Sequence, residues 1–307
     1  MSNNVPPENA EVPIAEPEPA EVSLAEVLKQ HEIKLPAKKI RLMETYCQEL
    51  WTWNEKINLT RHTDYEKFVT HDLIDSMHLA DLLQKGEHVL DVGTGGGVPG
   101  ILLAILRPDI TVELCDSTGK KAKAVGAIVD ALGLDTNVWY AKAENLLQYH
   151  RFHTLVIRAV SKMARLLEMF APVWFAFDRM LLVKGPHWVE ERGEARHYNL
   201  LNNIALRNVD EYETPGAEHK SYILALCRKS RFEELEQRNS DRLAGLPCPP
   251  LGESVGVDNS VPRKPPRKPY KPRTGSDRAK SADKSPTSKP FKSQGNRKFP
   301  DRKRFHK

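Results

Sequence analysis

The spacing of hydrophobic and polar residues changes character near residue 87. Before that point apolar residues recur every three or four positions, which is typical of helices that pack against a core. The capping-box pair Ser23 and Glu26 opens a first short helix, a second helix is predicted from Ala37 to about Glu55, and a third from about Asp64 to Leu83. These helices precede the first strong strand, so residues 23–86 are predicted to form an all-helical N-terminal cap.

From His88 onward the pattern alternates between short apolar strands and helices. Such alternation predicts a parallel sheet covered by helices on both faces. A closing antiparallel pair is expected from ALRNVDEY and SYILALCRK, so the fold class is α/β, with a Rossmann-like, mostly parallel seven-stranded sheet over residues 87–230. The five preceding strands are predicted in the segments HVLDVG, TVELCD, NVWYA, HTLVI and DRMLLVK.

The two ends of the chain differ in composition from this middle part. Residues 1–22 form an acidic, proline-rich leader, and residues 231–260 a polar connector with a short helix at its start. Residues 261–307 carry 17 lysines and arginines against 3 aspartates, although the whole chain has a formal net charge of +5. Both tails lack the apolar residues needed to offset the entropy of ordering, so disorder is predicted for them. The basic tail is suited to neutralising RNA phosphates, although a solubilising role without a partner is the alternative.

Composition also bears on where the protein is found and on whether it binds a metal. The sequence has neither the basic start and apolar stretch of a signal peptide nor an apolar run of about 18 residues, so a cytoplasmic protein without membrane contact is expected. The four cysteines are far apart and share no metal-ligand or disulfide spacing, and no metal site is predicted. A monomer is expected.

The densest chemical signal is the glycine-rich segment from Asp91 to Gly100, between an apolar strand and a helix. Glycine is required where φ is positive or where a side chain would collide with a ligand. The spacing of Gly93, Gly95 and Gly97 suits S-adenosylmethionine. The overlapping pattern from Gly95 to Gly100 also fits a dinucleotide, so the loop alone leaves both cofactors open.

Further candidates lie at the carboxyl ends of the later strands. Asp116 ends the second strand, where a carboxylate can accept hydrogen bonds from both ribose hydroxyls of an adenosine. Ala143 and Glu144 follow the third strand beside the expected adenine, although Glu144 could instead cap a helix. Arg158 follows the fourth strand, where it could hold cofactor or RNA phosphate or form an ordinary surface ion pair. Lys184 ends the fifth strand, where it could contact a nucleotide substrate or be an ordinary solvated lysine.

Together these motifs resemble the ribosomal RNA small subunit methyltransferase G family, also called glucose-inhibited division protein B. The resemblance covers about residues 40–228. It implies a class I S-adenosylmethionine-dependent methyltransferase fold behind a helical cap, and methylation of a guanine N7 in small-subunit (16S) ribosomal RNA. The motifs, all in the family's order, are WNEKINLT at 53–60, IDS at 74–76, DVGTGGGVPGI at 91–101, DSTGKK at 116–121, AE at 143–144, RAV at 158–160 and KG at 184–185.

Carried over to this chain, the resemblance implies specific contacts. S-adenosylmethionine contacts are expected at Gly93, Val98, Ala143, Glu144 and Arg158, with Asp116 as the ribose acid. RNA is expected to meet Arg158 and Lys184, and the partner is ribosomal RNA or the small ribosomal subunit. The basic tail lies outside the family core and is expected to contact RNA as an addition to it.

The chain departs from the family pattern at three positions. Asp72 stands where the family has a histidine, with His71 displaced by one residue. Lys142 replaces an arginine before the AE pair, and His153 replaces an aspartate near the start of the fourth strand.

The predicted mechanism needs no general acid or base, so no catalytic residue is assigned. Guanine N7 already carries a lone pair, and catalysis requires only that this atom be placed in line with the methyl group. Two other classes stay open from the residues alone. One is a nicotinamide-dependent oxidoreductase that uses the overlapping glycine pattern, and the other is a non-catalytic RNA-binding or ribosome-assembly protein.

Overall fold

The computed structural model describes residues 22–251. The predictions of a disordered leader over 1–22 and of a basic tail over 261–307 therefore fall almost entirely outside the described residues. Over residues 22–251 no helix combines the length and apolar composition that a membrane span requires.

The N-terminal cap is helical, as predicted. The predicted capping box opens α1, where the Ser23 side chain accepts from the Glu26 backbone N–H and the Glu26 carboxylate accepts from the Ser23 N–H at 2.9 Å. The third predicted helix contains a π-helical turn at Phe68–Leu73, a wide turn often found at functional sites. The cap helices are α1 (Leu24–Gln30), α2 (Ala37–Asn54), α3 (Tyr65–Lys67) and α4 (Ile74–Asp81).

The sheet has seven strands in the order β3-β2-β1-β4-β5-β7-β6. Strands β1 to β5 are parallel, and β7 pairs antiparallel with both β5 and β6. The predicted mostly parallel, seven-stranded sheet is therefore confirmed. The strands are β1 (His88–Val92), β2 (Thr111–Asp116), β3 (Asn137–Tyr140), β4 (Phe152–Arg158), β5 (Phe177–Lys184), β6 (Ile204–Glu213) and β7 (Lys220–Arg228).

Helices cover both faces of the sheet and enclose a hydrophobic core on each side. The cap shares its core with α5 (Gly100–Leu106) and α6 (Gly119–Ala131), because Tyr46 and Leu50 of α2 join the same buried cluster as Ile101 and Val125. The cap therefore lies beside the loops at the carboxyl edge of the sheet. The remaining helices are α5 (Gly100–Leu106), α6 (Gly119–Ala131), α7 (Ala143–Leu146), α8 (Met163–Phe170), α9 (Trp188–His197) and α10 (Phe232–Leu243).

The predicted end of the globular part near residue 230 is corrected by the structure. The helix expected at the start of the connector is present as α10, but Arg238 and Cys248 are each only 8% exposed. The Cys248 N–H donates to Lys85 O at 2.6 Å, which ties the segment to the turn before β1. The segment 231–251 is therefore packed against the sheet, because its buried arginine finds acidic partners there.

Candidate functional site

The glycine-rich turn after β1 adopts the backbone conformation that its sequence predicts. Gly93, Gly95 and Gly97 have φ values of 70°, 60° and 101°, in the left-handed region that favours glycine. A Cβ on Gly93 would lie 2.7 Å from Val160 Cγ2, whereas a Cβ on Gly95 would have no heavy atom nearer than 3.8 Å. Gly95 thus leaves open space at the turn, while Gly93 permits close packing.

The later glycines of the segment serve packing inside the protein. A Cβ on Gly97 would lie 2.5 Å from Ile101 Cδ1, and one on Gly100 would lie 2.7 Å from Asp91 Oδ2. Gly100 starts α5, and its N–H donates to Asp91 Oδ2 at 2.9 Å. These two glycines therefore bring α5 close to the end of β1.

Asp116 at the end of β2 is fixed next to this turn. Its Oδ2 accepts from the Gly95 N–H at 3.1 Å, and its Oδ1 accepts from the Thr118 N–H at 2.7 Å. A carboxylate offers about four lone-pair sites, so each oxygen keeps the capacity to accept a second hydrogen bond. The geometry is compatible with a carboxylate that binds two hydroxyl groups, although Asp116 is only 6% exposed.

A cavity of about 210 Å³ opens between the glycine turn, the end of β4 and the cap. It brings together four of the predicted site residues, Gly93, Gly95, Val98 and Arg158. Gly97, Asp116, Ala143, Glu144 and Lys184 are not part of its lining. The other lining residues are Tyr46, Leu50, Leu59, Thr60, Asp72, Thr94, Gly96, Lys121 and Ala159.

Arg158 is held at this cavity by two acidic residues of the cap. Its Nη2 donates to Asp72 Oδ1 at 2.6 Å, and its Nη1 donates to Asp75 Oδ2 at 3.2 Å and to His71 O at 3.0 Å. Five N–H donors are available on a guanidinium group, so two remain for a ligand. The structure places Arg158 in a buried ion-pair network, with a side chain that is 20% exposed.

The two acids of this network differ in their pKa. Burial raises the pKa of Asp72, but the hydrogen bond from His62 Nδ1 at 3.0 Å and the charge of Arg158 outweigh burial and bring the pKa below its ordinary value. For Asp75, burial raises the pKa above its ordinary value despite Arg158 and the Tyr212 hydroxyl. Asp72 is therefore the firmer counter-ion of Arg158.

Asp91 lies beneath the glycine turn and is 1% exposed. Burial raises its pKa to about 6, although the Thr94 hydroxyl and the Gly100 N–H both donate to its Oδ2. Within the described chain its Oδ1 has no hydrogen-bond partner. The Asp91 carboxyl group therefore binds the turn through Oδ2, which accepts both hydrogen bonds.

The remaining predicted residues lie beside the cavity. Ala143 and the half-buried Glu144 begin α7 after β3, and this segment is tied to β2 because the Ala141 N–H donates to Asp116 O at 3.2 Å. Lys184 ends β5, where its Nζ donates to Ser161 O and to Glu191, each at 2.8 Å. Lys184 therefore fixes the loop after β4.

Two residues that shape the site were missed by sequence reasoning. The Tyr46 hydroxyl of α2 donates to Gly96 O at 3.0 Å and joins the cap to the glycine turn. The Asn54 side chain accepts from the Leu59 and Thr60 N–H groups at 2.8 and 3.0 Å. Asn54 lies within the WNEKINLT motif, which gave a signal for this turn, whereas Tyr46 gave none beyond its place in a helix.

The three departures from the family pattern occupy different places. Asp72 lies at the cavity as the partner of Arg158, and Lys142 is an exposed residue before α7. His153 lies at the opposite, amino edge of the sheet, where its Nδ1 accepts from the His88 N–H at 2.8 Å and its Nε2 lies 2.9 Å from Pro249 O. His153 thus anchors the segment after α10.

Comparisons with known proteins agree on one family. The family model described as rRNA small subunit methyltransferase G matches residues 39–240. The protein of that name from Rhodopirellula baltica is 52% identical over 170 residues, which cover 55% of this chain and 74% of the relative. The one from Roseiflexus sp. is 32% identical over 202 residues, 62% of this chain and 85% of the relative. The one from Chromobacterium violaceum is 29% identical over 204 residues, 66% of this chain and 95% of the relative.

Proposed function

The chain belongs to the rRNA small subunit methyltransferase G family, and from this membership we propose that it methylates the N7 atom of a guanine in small-subunit (16S) ribosomal RNA. The methyl donor is S-adenosylmethionine. The observation that carries the proposal is the pairing of the glycine turn with Asp116, beside a cavity that Arg158 closes on its β4 side.

The residues present fit this cofactor. The open space at Gly95 admits a ligand against the backbone, and each Asp116 oxygen retains accepting capacity for a ribose hydroxyl. Two donors of Arg158 are available at the same cavity. We propose that Gly93, Gly95, Val98, Asp116, Ala143, Glu144 and Arg158 of the predicted set contact the cofactor, and that Gly97 contributes by shaping the turn through its packing on Ile101.

The proposed mechanism depends on the placement of guanine N7 in line with the methyl group of the donor. When bound, S-adenosylmethionine supplies an electrophilic methyl group on a sulfonium. Guanine N7 has a free lone pair, so no side chain has to remove a proton before the transfer. The chain therefore acts by holding both partners in line, with the cap joined to the glycine turn through the Tyr46 hydroxyl. No residue is assigned as a general acid or base.

RNA contacts are proposed on the same side of the sheet and in the C-terminal tail. Lys184, which lies beside the cavity, keeps one of its three ammonium donors for a phosphate or base, and the two guanidinium donors that Arg158 keeps are shared between the cofactor and the RNA. The basic segment 261–307 supplies further phosphate contacts. The protein is proposed to act as a monomer in the cytoplasm, where its ribosomal RNA substrate would be found.

The test is transfer of labelled methyl from S-adenosylmethionine to small ribosomal subunits, mapped by cleavage at 7-methylguanosine. Gly95→Asp would project a carboxylate into the open space at the turn and should abolish transfer and cofactor binding. Gly133→Asp is the matched control, because Gly133 has a similar φ of 62° and a Cβ there would meet no atom within 4 Å, yet it lies away from the turn. The control should keep transfer near the unaltered level.

Other outcomes would separate the competing functions. If NADH binds and S-adenosylmethionine does not, an oxidoreductase is indicated. If the methyl donor binds but no ribosomal RNA is labelled, the ribosomal substrate assignment is wrong. If RNA binds and neither cofactor does, the chain is a non-catalytic RNA-binding protein.

A further inference from the structure

A second groove, of about 630 Å³, lies on the edge of the sheet away from the cofactor cavity. It is formed by α9, the start of β6, the residue after β7 and the start of α10. Strand β6 runs parallel to β5, because both pair antiparallel with β7, so the groove lies toward the amino edge of the sheet. The cofactor cavity lies at the carboxyl edge.

Four cations from three parts of the chain line this groove. Arg192 and Arg196 lie four residues apart on one face of α9, Arg207 lies on β6, and Lys229 follows β7. Over residues 22–251 none of the four has a carboxylate oxygen within 4 Å. The groove therefore carries a positive charge that the described protein does not neutralise.

The acids of α9 are engaged on other sides of the helix. Glu191 pairs with Lys184 at 2.8 Å, Glu194 with Lys162 at 3.8 Å, and Glu190 with His187 at 3.1 Å. A solvated helix surface usually mixes both signs. Here the acids form ion pairs outside the groove while the two arginines line it. The side of α9 that faces the groove is therefore positively charged.

Two of the guanidinium groups are also held against aromatic rings. Arg207 lies 4.6 Å from the ring centroid of Phe232, and Arg192 lies 5.0 Å from that of Trp188. Stacking on a ring restricts a guanidinium while leaving its N–H groups at the edge free to donate. Lys229 donates to Asn202 O at 2.8 Å and keeps two donors.

We propose that this groove binds the sugar-phosphate backbone of a second segment of the ribosomal RNA substrate, apart from the segment that presents the guanine. Four cations exceed what one phosphate needs, which favours an extended polyanion. The inference rests on the proposed function for the identity of the RNA.

The experiment measures binding of the full chain to small-subunit ribosomal RNA by filter binding over a series of KCl concentrations. The test variant combines Arg192→Gln, Arg196→Gln, Arg207→Gln and Lys229→Gln. Affinity should fall at least about tenfold at low salt, and the slope of log affinity against log salt should decrease by about 3, at about 0.7 per lost phosphate contact. Affinity for S-adenosylmethionine should stay the same.

The charge-matched control combines Lys29→Gln, Lys34→Gln, Lys38→Gln and Arg41→Gln, four exposed cations of the cap. It changes the net charge equally and should leave most of the slope intact. A second variant, which combines Arg192→Lys, Arg196→Lys and Arg207→Lys, keeps the charge and should keep the slope. If the fourfold glutamine variant of the groove does not fold, Arg192→Gln with Arg196→Gln should give half of the slope change.

The inference is overturned if the groove variant and the cap control weaken binding equally, or if the salt slope does not change. Methyl transfer by the unaltered chain is measured in parallel. If the unaltered chain transfers methyl groups but the groove variant binds RNA as the unaltered chain does, only the groove proposal is wrong. If the groove variant binds RNA more weakly but the unaltered chain transfers no methyl group, the groove is an RNA-binding surface and the proposed methyltransferase function is wrong.

Discussion

The sheet carries a buried network of charges at each of its two ends. At the carboxyl edge, Arg158 meets Asp72 and Asp75 next to the cavity beside the glycine turn. At the amino edge, Glu87 meets Arg179 at 2.9 Å and Arg238 at 3.4 Å, and Arg238 also meets Asp178 at 2.7 Å. Both networks join elements that are far apart in sequence.

The two networks differ in how their charges are shared. At the amino edge each acid has two arginines, because Arg231 also pairs with Asp178. Burial raises the pKa of Glu87, but Arg179 and Arg238 outweigh it and hold this pKa below its ordinary value. At the carboxyl edge one arginine serves two acids and keeps donors at a cavity. The amino-edge network is therefore suited to holding the fold, and the carboxyl-edge network to meeting a ligand.

The largest effect is expected for Arg158→Met. Asp72 and Asp75 would lose the arginine that they share in the described chain, and breaking a buried pair in this way costs about 3–5 kcal/mol. The free energy of unfolding, measured in urea, should fall by this amount, and S-adenosylmethionine affinity should fall more than tenfold, because Arg158 lines the cavity.

The control for this change is Arg165→Met, an exposed arginine of α8. It should shift the free energy of unfolding by less than about 0.5 kcal/mol. Adding Asp72→Asn to Arg158→Met should restore part of the stability, because the uncompensated charge is then removed. Unchanged stability in Arg158→Met would show that the ion pair contributes nothing to folding.

A smaller loss is expected for Arg238→Met at the amino edge. Glu87 keeps Arg179 and Asp178 keeps Arg231, so the free energy of unfolding should fall by about 3 kcal/mol, the lower end for a broken buried pair. The affinity for S-adenosylmethionine should not change, because only the carboxyl-edge network lies at the cavity. Gln237→Met, at the exposed neighbour, is the control. Loss of cofactor binding in Arg238→Met would contradict the assignment of separate roles.

These two networks also show how far the sequence could predict the structure. Hydrophobic periodicity predicted the seven strands, and the glycine spacing predicted the turn with its positive φ angles, because both signals are local. Arg238 has no local signal: it lies among charged residues, and its partner Glu87 is 151 positions away. Burial of a polar side chain depends on such distant partners, so the packing of 231–251 was not predicted.

The same reasoning applies within the candidate site. Asp116 was predicted because its distance from the glycine turn follows from the strand-helix-strand repeat. Tyr46 and the pairing of Asp72 with Arg158 depend on how the cap rests on the sheet, which no local pattern encodes. The π-helical turn at Phe68–Leu73 was likewise not predicted, since a period of 3.6 residues describes its neighbours equally well.

An intermediate effect is expected for Tyr212→Phe, which removes one hydrogen bond from the carboxyl-edge network. The Tyr212 hydroxyl donates to Asp75 Oδ1 at 2.7 Å. Losing a donor to a buried carboxylate should lower the free energy of unfolding by about 1.5 kcal/mol. The ring stacked on His78 at 3.7 Å is retained, so packing should not change. Tyr198→Phe, at an exposed tyrosine, should have no measurable effect in the same urea titration.

The smallest effect is a pH dependence at the amino edge. The hydrogen bonds of His153 require the neutral ring, with Nδ1 accepting from the His88 N–H and Nε2–H donating to Pro249 O. Burial lowers the pKa of His153 below its ordinary value of 6.5, so below that pH the unfolded chain binds a proton that the folded chain does not. This group therefore stabilises the fold less as the pH falls below about 6.5. His153→Asn keeps an acceptor without titrating, and its stability relative to the unaltered chain should rise between pH 7.5 and pH 5.5 in thermal unfolding. An equal pH dependence in both chains would mean that the pKa of His153 is the same in the folded and unfolded states, which would contradict the effect of burial.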